Sequence, residues 1–378
     1  MDTRSISLFS GGMGLDLGLM MAGIDIKIGQ DVDPSCIQTI HANGHEAIGG
    51  DIRDISSREI LDRIGMKAGE PFLICGGPPC QPFSTAGKRM GINDPRGSLF
   101  KDFVRMISEI RPRFFVMENV KGLMSSSLKD ENGKNTDIKV LDIILEEFHK
   151  LNYSTVYGIV DAVNYGVPQF RERFVLVGSR DGEDIFLPAP THFRVHQNPD
   201  YRWVTLGNTI RDLEDQPGEC AAFSEARLEL LRMIPEGGNW KNLPREVVER
   251  AMGGAFTSGG GKVGFYRRLA YAQPSPTVVT SPVQKATMMC HPTKDRPLSV
   301  AEYARIQQFP DDWIFMGTVA DKYRQIGNAV PVGLAKAIGQ MLISVANNDA
   351  EIVVKRTRGT SVHDRIQDAI RMGGFRKC

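Results

Sequence analysis

Short apolar runs alternate with amphipathic segments over the first 180 residues of the chain. Such alternation predicts an α/β sheet whose strands are connected by helices. The predicted strands are 5–9, 24–29, 72–75, 114–117, 154–160 and 174–177, and the predicted helices are 14–22, 34–42, 99–110 and 138–151. The last two strands leave no room for a helix between them. We therefore expect an antiparallel pair at the end of an otherwise parallel sheet.

The alternation ends near residue 180. Residues 181–295 are rich in Pro and Gly, with ten acids against four bases in 181–230 and six bases against one acid in 262–296. Helical periodicity returns in 299–308 and 333–346, and a basic tail closes the chain. The pattern predicts one α/β domain (1–180), a smaller irregular domain inserted at 181–295, returning helices (296–348) and the tail (349–378).

Composition narrows the class of protein only slightly. Of 378 residues, 41 % are hydrophobic and 24 % charged, and a net charge of +1 excludes neither nucleic acid nor small molecules as partners. No apolar run approaches the length of a membrane span, and no signal sequence begins the chain, so we expect a cytoplasmic protein. The six cysteines form no C-x-x-C pair, which predicts free thiols and no metal site.

Three predicted strand ends carry groups suited to an adenosine ligand. FSGGMG follows the first strand and opens a helix, where glycines allow a ligand to approach the backbone. QDVD places Asp31 and Asp33 beyond the second strand, where a carboxylate can accept from both ribose hydroxyls. Asp51, in GGDI, ends what looks like a third strand, between 24–29 and 72–75, and could accept from an adenine amino group. The glycine turn alone is weak evidence, because a tight strand-to-helix turn needs the same residues.

A cysteine lies in the stiff loop GGPPCQPFS, just past the strand 72–75. Open α/β sheets bind ligands at this edge, and the prolines restrict the loop, so Cys80 is a candidate nucleophile. A redox role lacks a close partner, since Cys75 is expected to be buried, and a packing role remains the simple alternative.

Polar side chains on two further strands complete the candidate site. Glu118 follows the apolar strand 114–117, although a helix N-cap would also use such an acid. In PQFRERF, alternation places Gln169, Arg171 and Arg173 on one face of a strand, where they could hold a planar substrate with a carbonyl oxygen. The alternative is a solvated edge strand with a salt bridge through Glu172.

Taken together, these segments resemble the DNA (cytosine-5) methyltransferases. FSGGMGLDLG, QDVD, GGDI, PPCQPFS, RGSLF, ENV, QFRER, RPLSVAEYARIQQFPDDW and YRQIGNAVP occur in the family's order. Two departures are Met13, where the family more often has glycine, and Val32, where many members carry an aromatic ring. The resemblance implies a Rossmann-like S-adenosylmethionine-dependent methyltransferase mixed sheet forming a catalytic and cofactor-binding domain, with residues 181–295 as an inserted target-recognition domain.

The resemblance also implies roles for individual residues. S-adenosylmethionine would be bound by Phe9, Gly11, Gly12, Met13, Gly14, Leu15, Asp31, Val32, Asp51, Ile52, Pro79, Leu99, Asn328 and Val330. Cys80 would add to C6 of a flipped-out cytosine in duplex DNA and form a covalent adduct. Glu118, protonated, would bind N3, Arg173 would hold O2, and Arg171 would support the loop and the adjacent phosphate.

Supporting and DNA-binding roles follow from the same resemblance. Asn119 would steady the Pro79–Cys80 turn, and Gln169 would be structural. The DNA contacts expected are Gln81, Ser84, Lys88, Arg89, Lys262, Arg267, Arg268 and Thr277. Thr277 resembles the threonine that ends the family's recognition domain, whereas a solvated loop explains any single one of the basic residues equally well. Neither a metal nor a membrane contact is expected. The protein is expected to be a monomer, and a cognate restriction endonuclease is an optional genetic partner.

Other functions explain fewer of these residues. A tRNA cytosine-5 methyltransferase of the same fold uses a similar PPCQPF loop, but the long segment 181–295 favours an enzyme that reads a DNA sequence. A non-catalytic DNA-binding relative has no use for Cys80, Glu118 and Arg173 together. A nicotinamide oxidoreductase would account only for the glycine turn and Asp31.

Overall fold

The structure is a computed structural model that describes residues 1–79, 98–129, 135–257 and 262–348. Its strands are β1 (Arg4–Leu8), β2 (Asp25–Asp31), β3 (Ala47–Gly49), β4 (Leu73–Gly76), β5 (Phe114–Val120), β6 (Ser127–Lys129), β7 (Asn135–Lys139), β8 (Ser154–Asp161) and β9 (Glu172–Ser179). Its helices are α1 (Gly14–Met21), α2 (Pro34–Ala42), α3 (Ser57–Ile64), α4 (Ser98–Ile110), α5 (Val140–Lys150), α6 (Leu206–Ile210), α7 (Glu225–Leu231), α8 (Arg245–Met252), α9 (Val300–Ile306), α10 (Val319–Asn328) and α11 (Val332–Ala346).

Seven of the described strands form one mixed sheet in the order β3-β2-β1-β4-β5-β9-β8. The strands from β3 to β5 are parallel, whereas β9 runs antiparallel to both β5 and β8. The predicted fold class and the antiparallel pair at the end of the sheet are thereby confirmed. The short connection from β8 to β9 explains the reversal, because a parallel crossover needs a dozen or more residues.

The predicted helices with strong apolar periodicity occur within one or two residues of their expected ends. The pattern missed α3, the short helices α6 to α8, and α10, which begins with a capping box between Thr318 and Asp321. It also missed the hairpin of β6 and β7, which is separate from the main sheet. Helix α6 and strand β6 have only five and three residues, so few apolar positions repeat along them. Length does not explain the omission of α3 and α10, which have eight and ten residues against eight in the predicted α1.

The hydrophobic core has two layers, one on each face of the sheet. Along β5, Phe115 and Met117 join the layer under α4 and α5, whereas Phe114 and Val116 join the layer under α1 and α11. This division follows from the alternation of side chains along a strand. Both layers are continuous with buried residues of the neighbouring strands, so the central sheet positions the ends of its strands rigidly.

The segment Val319–Ala346, which contains α10 and α11, is long and apolar enough by length and composition to cross a membrane. This corrects the expectation that no stretch approaches that length. Burial inside the protein accounts for the apolar composition, because 61 % of its most apolar 18-residue stretch is buried. Leu334, Ile338 and Leu342 of α11 lie in the core layer shared with α1.

Residues 206–298 have two sets of core contacts. Phe223, Leu231 and Met252 belong to a small cluster formed within the segment. Leu206 and Tyr271 belong instead to a cluster shared with α9, α10 and α1. The segment is thus attached to the returning helices through buried side chains, while the exact domain boundaries stay a prediction.

Candidate active site

The turn from β1 to α1 has an unusual backbone. Phe9, Gly11 and Met13 all have positive φ, at 57°, 54° and 67°. No described atom lies within 4 Å of where a Cβ on Gly11 would stand, so the turn presents an open side there. Met13 is in the left-handed region that favours glycine. Its side chain is buried in a cluster with Ile40 and Ala47, which offsets the backbone strain.

The start of α1 lies against the segment that joins α10 to α11. A Cβ on Gly14 would stand 2.3 Å from the carbonyl oxygen of Val330, so only glycine permits this approach. Leu15 and Val330 are buried, whereas Asn328 is exposed. Gly14 and Val330, which are predicted for the same cofactor site from opposite ends of the chain, are therefore adjacent in the fold.

Asp31, at the end of β2, contacts the open turn directly. Its Oδ2 accepts from the Gly11 amide over 2.8 Å, and its Oδ1 accepts from the Asp33 amide over 2.9 Å. Burial raises the pKa of this carboxyl. Asp33 is used differently: it caps α2 and forms a 2.6 Å ion pair with Arg324. Of the two acids in QDVD, Asp31 is the one that faces the turn, and the neighbouring Val32 is 65 % exposed.

The third predicted adenosine group, Asp51, lies two residues beyond β3. Its carboxylate forms an ion pair and hydrogen bonds with Arg53, which lowers the pKa of Asp51 to about 2. The next residue, Ile52, is buried, and its carbonyl accepts from Arg105 over 2.8 Å. Ile52 is thus fixed by the core, while Asp51 would have to share its carboxylate between Arg53 and a ligand.

Glu118 and Arg173 are brought together by the antiparallel pairing of β5 with β9. Glu118 Oε1 lies 2.7 Å from Arg173 Nε, and the two side chains are 12 % and 13 % exposed. Burial raises the pKa of Glu118, and the charges of Arg173 and Arg171 oppose that rise. A Cβ on Gly77 would stand 3.1 Å from Glu118 Oε2. The carboxylate therefore lies beside the loop that leads to the predicted nucleophile.

Asn119 fixes the same loop. Its side-chain Nδ2 donates to the Pro78 carbonyl over 2.9 Å. Pro79 is exposed at the end of this described stretch, and Leu99, in the first turn of α4, is half-buried against the core. The predicted site residues Cys80, Gln81, Ser84, Lys88 and Arg89 lie outside the described residues.

The Gln169–Arg173 segment differs from its prediction. Strand β9 begins at Glu172, so only Arg173 of the three polar residues lies on a regular strand. Gln169 accepts from the Val278 amide over 2.8 Å and donates to Gln307 over 2.9 Å. The solvated edge strand offered as an alternative is wrong, because β9 lies between β5 and β8 and Gln169 is fully buried.

Arg171 is also an internal residue, at 1 % exposure. Its guanidinium donates to the carbonyls of Val278, Gly327 and Ala329 at 2.8, 2.7 and 3.0 Å. This agrees with a supporting role. The expected phosphate contact does not fit the burial, since a guanidinium enclosed by backbone carbonyls is not presented to a DNA strand.

The four expected DNA contacts in residues 262–277 have different environments. Arg268 is 5 % exposed, and all five of its N–H donors are used, by four backbone carbonyls and the Asp295 carboxylate. A DNA contact through Arg268 is therefore excluded in this conformation. Arg267 is half-buried and donates to the Met288 carbonyl, whereas Lys262 donates to the Phe256 carbonyl from a half-exposed position.

Thr277 lies beside the segment that leads into β9. Its hydroxyl donates to the Phe170 carbonyl over 2.7 Å, and it lines a surface groove of about 440 Å³ with Asp161, Glu172 and several neighbours. As for metals, the described ranges contain no group of three or more His, Cys, Asp or Glu side chains placed to hold an ion.

The sheet order, the glycine turn after β1 and the acids at the ends of β2 and β5 define a Rossmann-like methyltransferase fold. The sequence profile of the C-5 cytosine-specific DNA methylases matches residues 3–344. The chain belongs to this family and is a DNA cytosine-5 methyltransferase.

Other proteins are similar to this chain over most of its length. It is 38 % identical to the type II methyltransferase M.Sau96I of Staphylococcus aureus, over 92 % of this chain and 77 % of that protein. It is 35 % identical to the type II methyltransferase M.Eco47II of Escherichia coli, over 89 % and 78 %. A crystal structure of a prophage DNA modification methyltransferase from E. coli superposes with a TM-score of 0.63 at 26 % identity, covering 91 % and 99 % of the chains. S. pombe Dnmt2 shares the fold, with a TM-score of 0.55 at 18 % identity over 91 % and 99 %.

Sequence reasoning missed the polar residues beneath these groups. Ser7, Ser10 and Asp16 form a buried hydrogen-bonded chain under the glycine turn. Gln325 of α10 accepts from Thr39 of α2 over 2.7 Å and so connects the returning helices to the helix that follows β2. A polar residue inside an apolar stretch, such as Asp16 in GLDLGLMM, was the available signal.

Proposed function

We propose that this protein transfers a methyl group from S-adenosylmethionine to C5 of a flipped-out cytosine in a specific duplex DNA sequence, through a covalent Cys80–C6 adduct. The observation that carries the proposal is the largely buried but still partly accessible Glu118–Arg173 pair beside Gly77, because it offers an acid and a cation at one sheet edge. Family membership and the PPCQPFS motif support Cys80 as the nucleophile.

The chain's residues are suited to hold the cofactor. The open side at Gly11 leaves room for a ligand against the backbone, and Asp31 retains acceptor capacity for ribose hydroxyls beyond its two amide bonds. Val32 offers an exposed apolar contact for adenine. The remaining residues assigned to this site are Phe9, Gly12, Met13, Gly14, Leu15, Asp51, Ile52, Pro79, Leu99, Asn328 and Val330. When bound, S-adenosylmethionine supplies the electrophilic methyl group that C5 accepts.

The chemistry of the target base explains the other residue types. C5 of cytosine is a poor nucleophile, and addition of the Cys80 thiolate at C6 shifts electron density onto C5. Glu118 in its protonated form donates to N3 and lowers the cost of this addition, which agrees with the raised pKa of its carboxyl. Arg173 holds O2. After methylation, loss of the C5 proton re-forms the C5–C6 double bond and expels the thiolate.

The target base is read and held by other parts of the chain. Residues 181–295 are assigned to target recognition, with Lys262, Arg267 and Thr277 as its DNA contacts, and Gln81, Ser84, Lys88 and Arg89 follow the nucleophile. The thiol must approach one face of the cytosine ring and the methyl donor the other. Stacking covers both faces in duplex DNA, so the base must be flipped out. Gln169, Arg171 and Asn119 serve as supports within the protein.

A mechanism-based trap tests this proposal. Duplex DNA containing 5-fluorocytosine, together with S-adenosylmethionine, is expected to leave a denaturation-resistant adduct, because fluorine at C5 prevents the final elimination. Cys80→Ala should form none, and Cys36→Ala, which removes the buried thiol of Cys36 on α2, should form it normally. An adduct with Cys80→Ala would disprove the nucleophile, and methylation of tRNA but of no duplex DNA would replace the proposed substrate.

A further inference from the structure

A buried chain of hydrogen bonds lies beneath the turn that joins β1 to α1. Ser10 Oγ donates to Ser7 Oγ over 2.8 Å, and Ser7 Oγ donates to Asp16 Oδ1 over 2.6 Å. Asp16 is fully buried, and its Oδ2 has no hydrogen-bond partner among the described residues. Burying a carboxyl oxygen without a partner is costly, so the position of Asp16 calls for a role beyond packing.

This chain connects Asp16 to the residues assigned to the cofactor. The Gln30 amide donates to Ser10 Oγ over 3.2 Å, and the Ser10 amide donates to the Gln30 carbonyl over 2.9 Å. The next residue, Gly11, donates to Asp31 at the end of β2. Two hydroxyls and the end of β2 therefore connect Asp16 to the turn by hydrogen bonds.

The groups around Asp16 do not neutralise it by an ion pair. Asp31 of β2 repels its charge, and Cys75 of β4 places its Sγ 3.7 Å from Oδ1. Two other elements packed near Asp16 carry a basic residue. Arg4 lies at the first position of β1, and Lys336 lies on an exposed face of α11. Burial raises the pKa of Asp16 to about 7, and the nearby Asp31 adds to the rise.

We infer that Asp16 is a positioning residue whose ionised form favours a cationic ligand on the β1–α1 turn over a neutral one. The inference rests on the proposed function, since S-adenosylmethionine carries a sulfonium cation whereas S-adenosylhomocysteine has a neutral thioether. The two molecules share the adenosine and the amino-acid group. Charge at sulfur is thus the property that a buried anion distinguishes, and the low-dielectric interior screens that interaction weakly.

The sign of the pH dependence follows from linkage. A cation on the turn stabilises ionised Asp16 and lowers the pKa of its carboxyl, so binding of S-adenosylmethionine near neutral pH releases a proton. Binding of the neutral product, S-adenosylhomocysteine, releases a smaller fraction of a proton. By reciprocity, the preference for S-adenosylmethionine over S-adenosylhomocysteine increases as the pH rises through about 7, where Asp16 ionises.

Calorimetry on the full chain measures the proton release and the ratio of the two dissociation constants without turnover. Each ligand is titrated between pH 6 and 8.5 in buffers of different ionisation enthalpy, which gives the number of protons released. We expect S-adenosylmethionine to release about half a proton more than S-adenosylhomocysteine at pH 7, and the ratio of their dissociation constants to change about fivefold. Asp16→Asn should abolish both effects, and Asp62→Asn, on the exposed face of α3, should preserve them.

The outcomes separate this inference from the proposed function. If the wild type binds no S-adenosylmethionine at any pH, the proposed function fails. If it binds both ligands with equal proton release and a constant ratio, only the role of Asp16 fails, as it does if Asp16→Asn keeps the pH dependence. Ser7→Ala is a second variant: it removes a hydrogen bond that lowers the pKa of Asp16, so the midpoint should move to higher pH.

Discussion

Two arginine-containing regions of this protein use the same side chain in opposite ways. At the carboxyl edge of the sheet, Arg173 pairs with Glu118 while both remain partly accessible. In residues 262–298, Arg268 is nearly inaccessible and gives every N–H donor to an acceptor of the protein itself. The first arrangement leaves capacity for a substrate, and the second leaves none. A basic residue in a loop is therefore evidence for a ligand only when its donors remain available.

The largest effect is expected at the accessible edge. Glu118→Gln replaces the acidic O–H proposed for N3 by an amide N–H that can still donate a hydrogen bond but cannot give up its proton, and turnover should fall by about 10²–10⁴. Folding should change much less, because the amide can still accept from Arg173. Single-turnover methylation of a duplex target measures the first quantity and the urea midpoint the second. Turnover within threefold of the wild type would remove Glu118 from the mechanism.

The pH profile sharpens the same assignment. Burial raises the pKa of Glu118, and the proposed chemistry needs its protonated form, so the wild-type rate should decrease as the pH rises through that value. Glu118→Gln carries no titrating proton there and should lose this limb of the profile. A variant profile parallel to that of the wild type would assign the limb to another group.

The enclosed region should respond in stability instead. Arg268→Lys replaces five fixed donors by three, so carbonyls near Leu231 and Ile234 lose their partners. We expect a loss of about 2–4 kcal/mol in unfolding free energy, measured by urea denaturation. Arg267→Lys is the matched control, since Arg267 is half-buried and makes fewer such bonds. Equal stability of the two variants would contradict the distinction between them.

The sequence predicted the accessible edge better than the enclosed region. Strand ends are local features, so the apolar run before Glu118 and the glycine turn after β1 could be recognised without knowledge of the fold. The environment of Arg171 depends on Val278, Gly327 and Ala329, which lie more than a hundred positions away. Neither periodicity nor composition records such contacts. From the sequence alone, Arg171 and Arg268 therefore resemble DNA contacts, although their partners lie inside the protein.

A smaller effect should follow from closing the contact between α1 and the returning helices. Gly14→Ala places a methyl group against the Val330 carbonyl, which must shift at a cost of about 1–3 kcal/mol. Cofactor affinity should weaken about tenfold, because both flanking segments are assigned to that site. Calorimetric titration with S-adenosylhomocysteine measures it. Gly122→Ala, where a Cβ meets no described atom within 4 Å, should bind normally.

The smallest effect distinguishes a basic residue that remains half-exposed from one that is enclosed. Lys262 donates one hydrogen bond to the Phe256 carbonyl and keeps further donors for a phosphate. Lys262→Ala should weaken duplex binding by a few fold and reduce the slope of log K against log salt by about 1, with unchanged stability. Fluorescence anisotropy at several salt concentrations measures the slope. Lys150→Ala, at the end of α5, should leave it unchanged, and an unchanged slope for Lys262→Ala would place the DNA path elsewhere on the recognition segment.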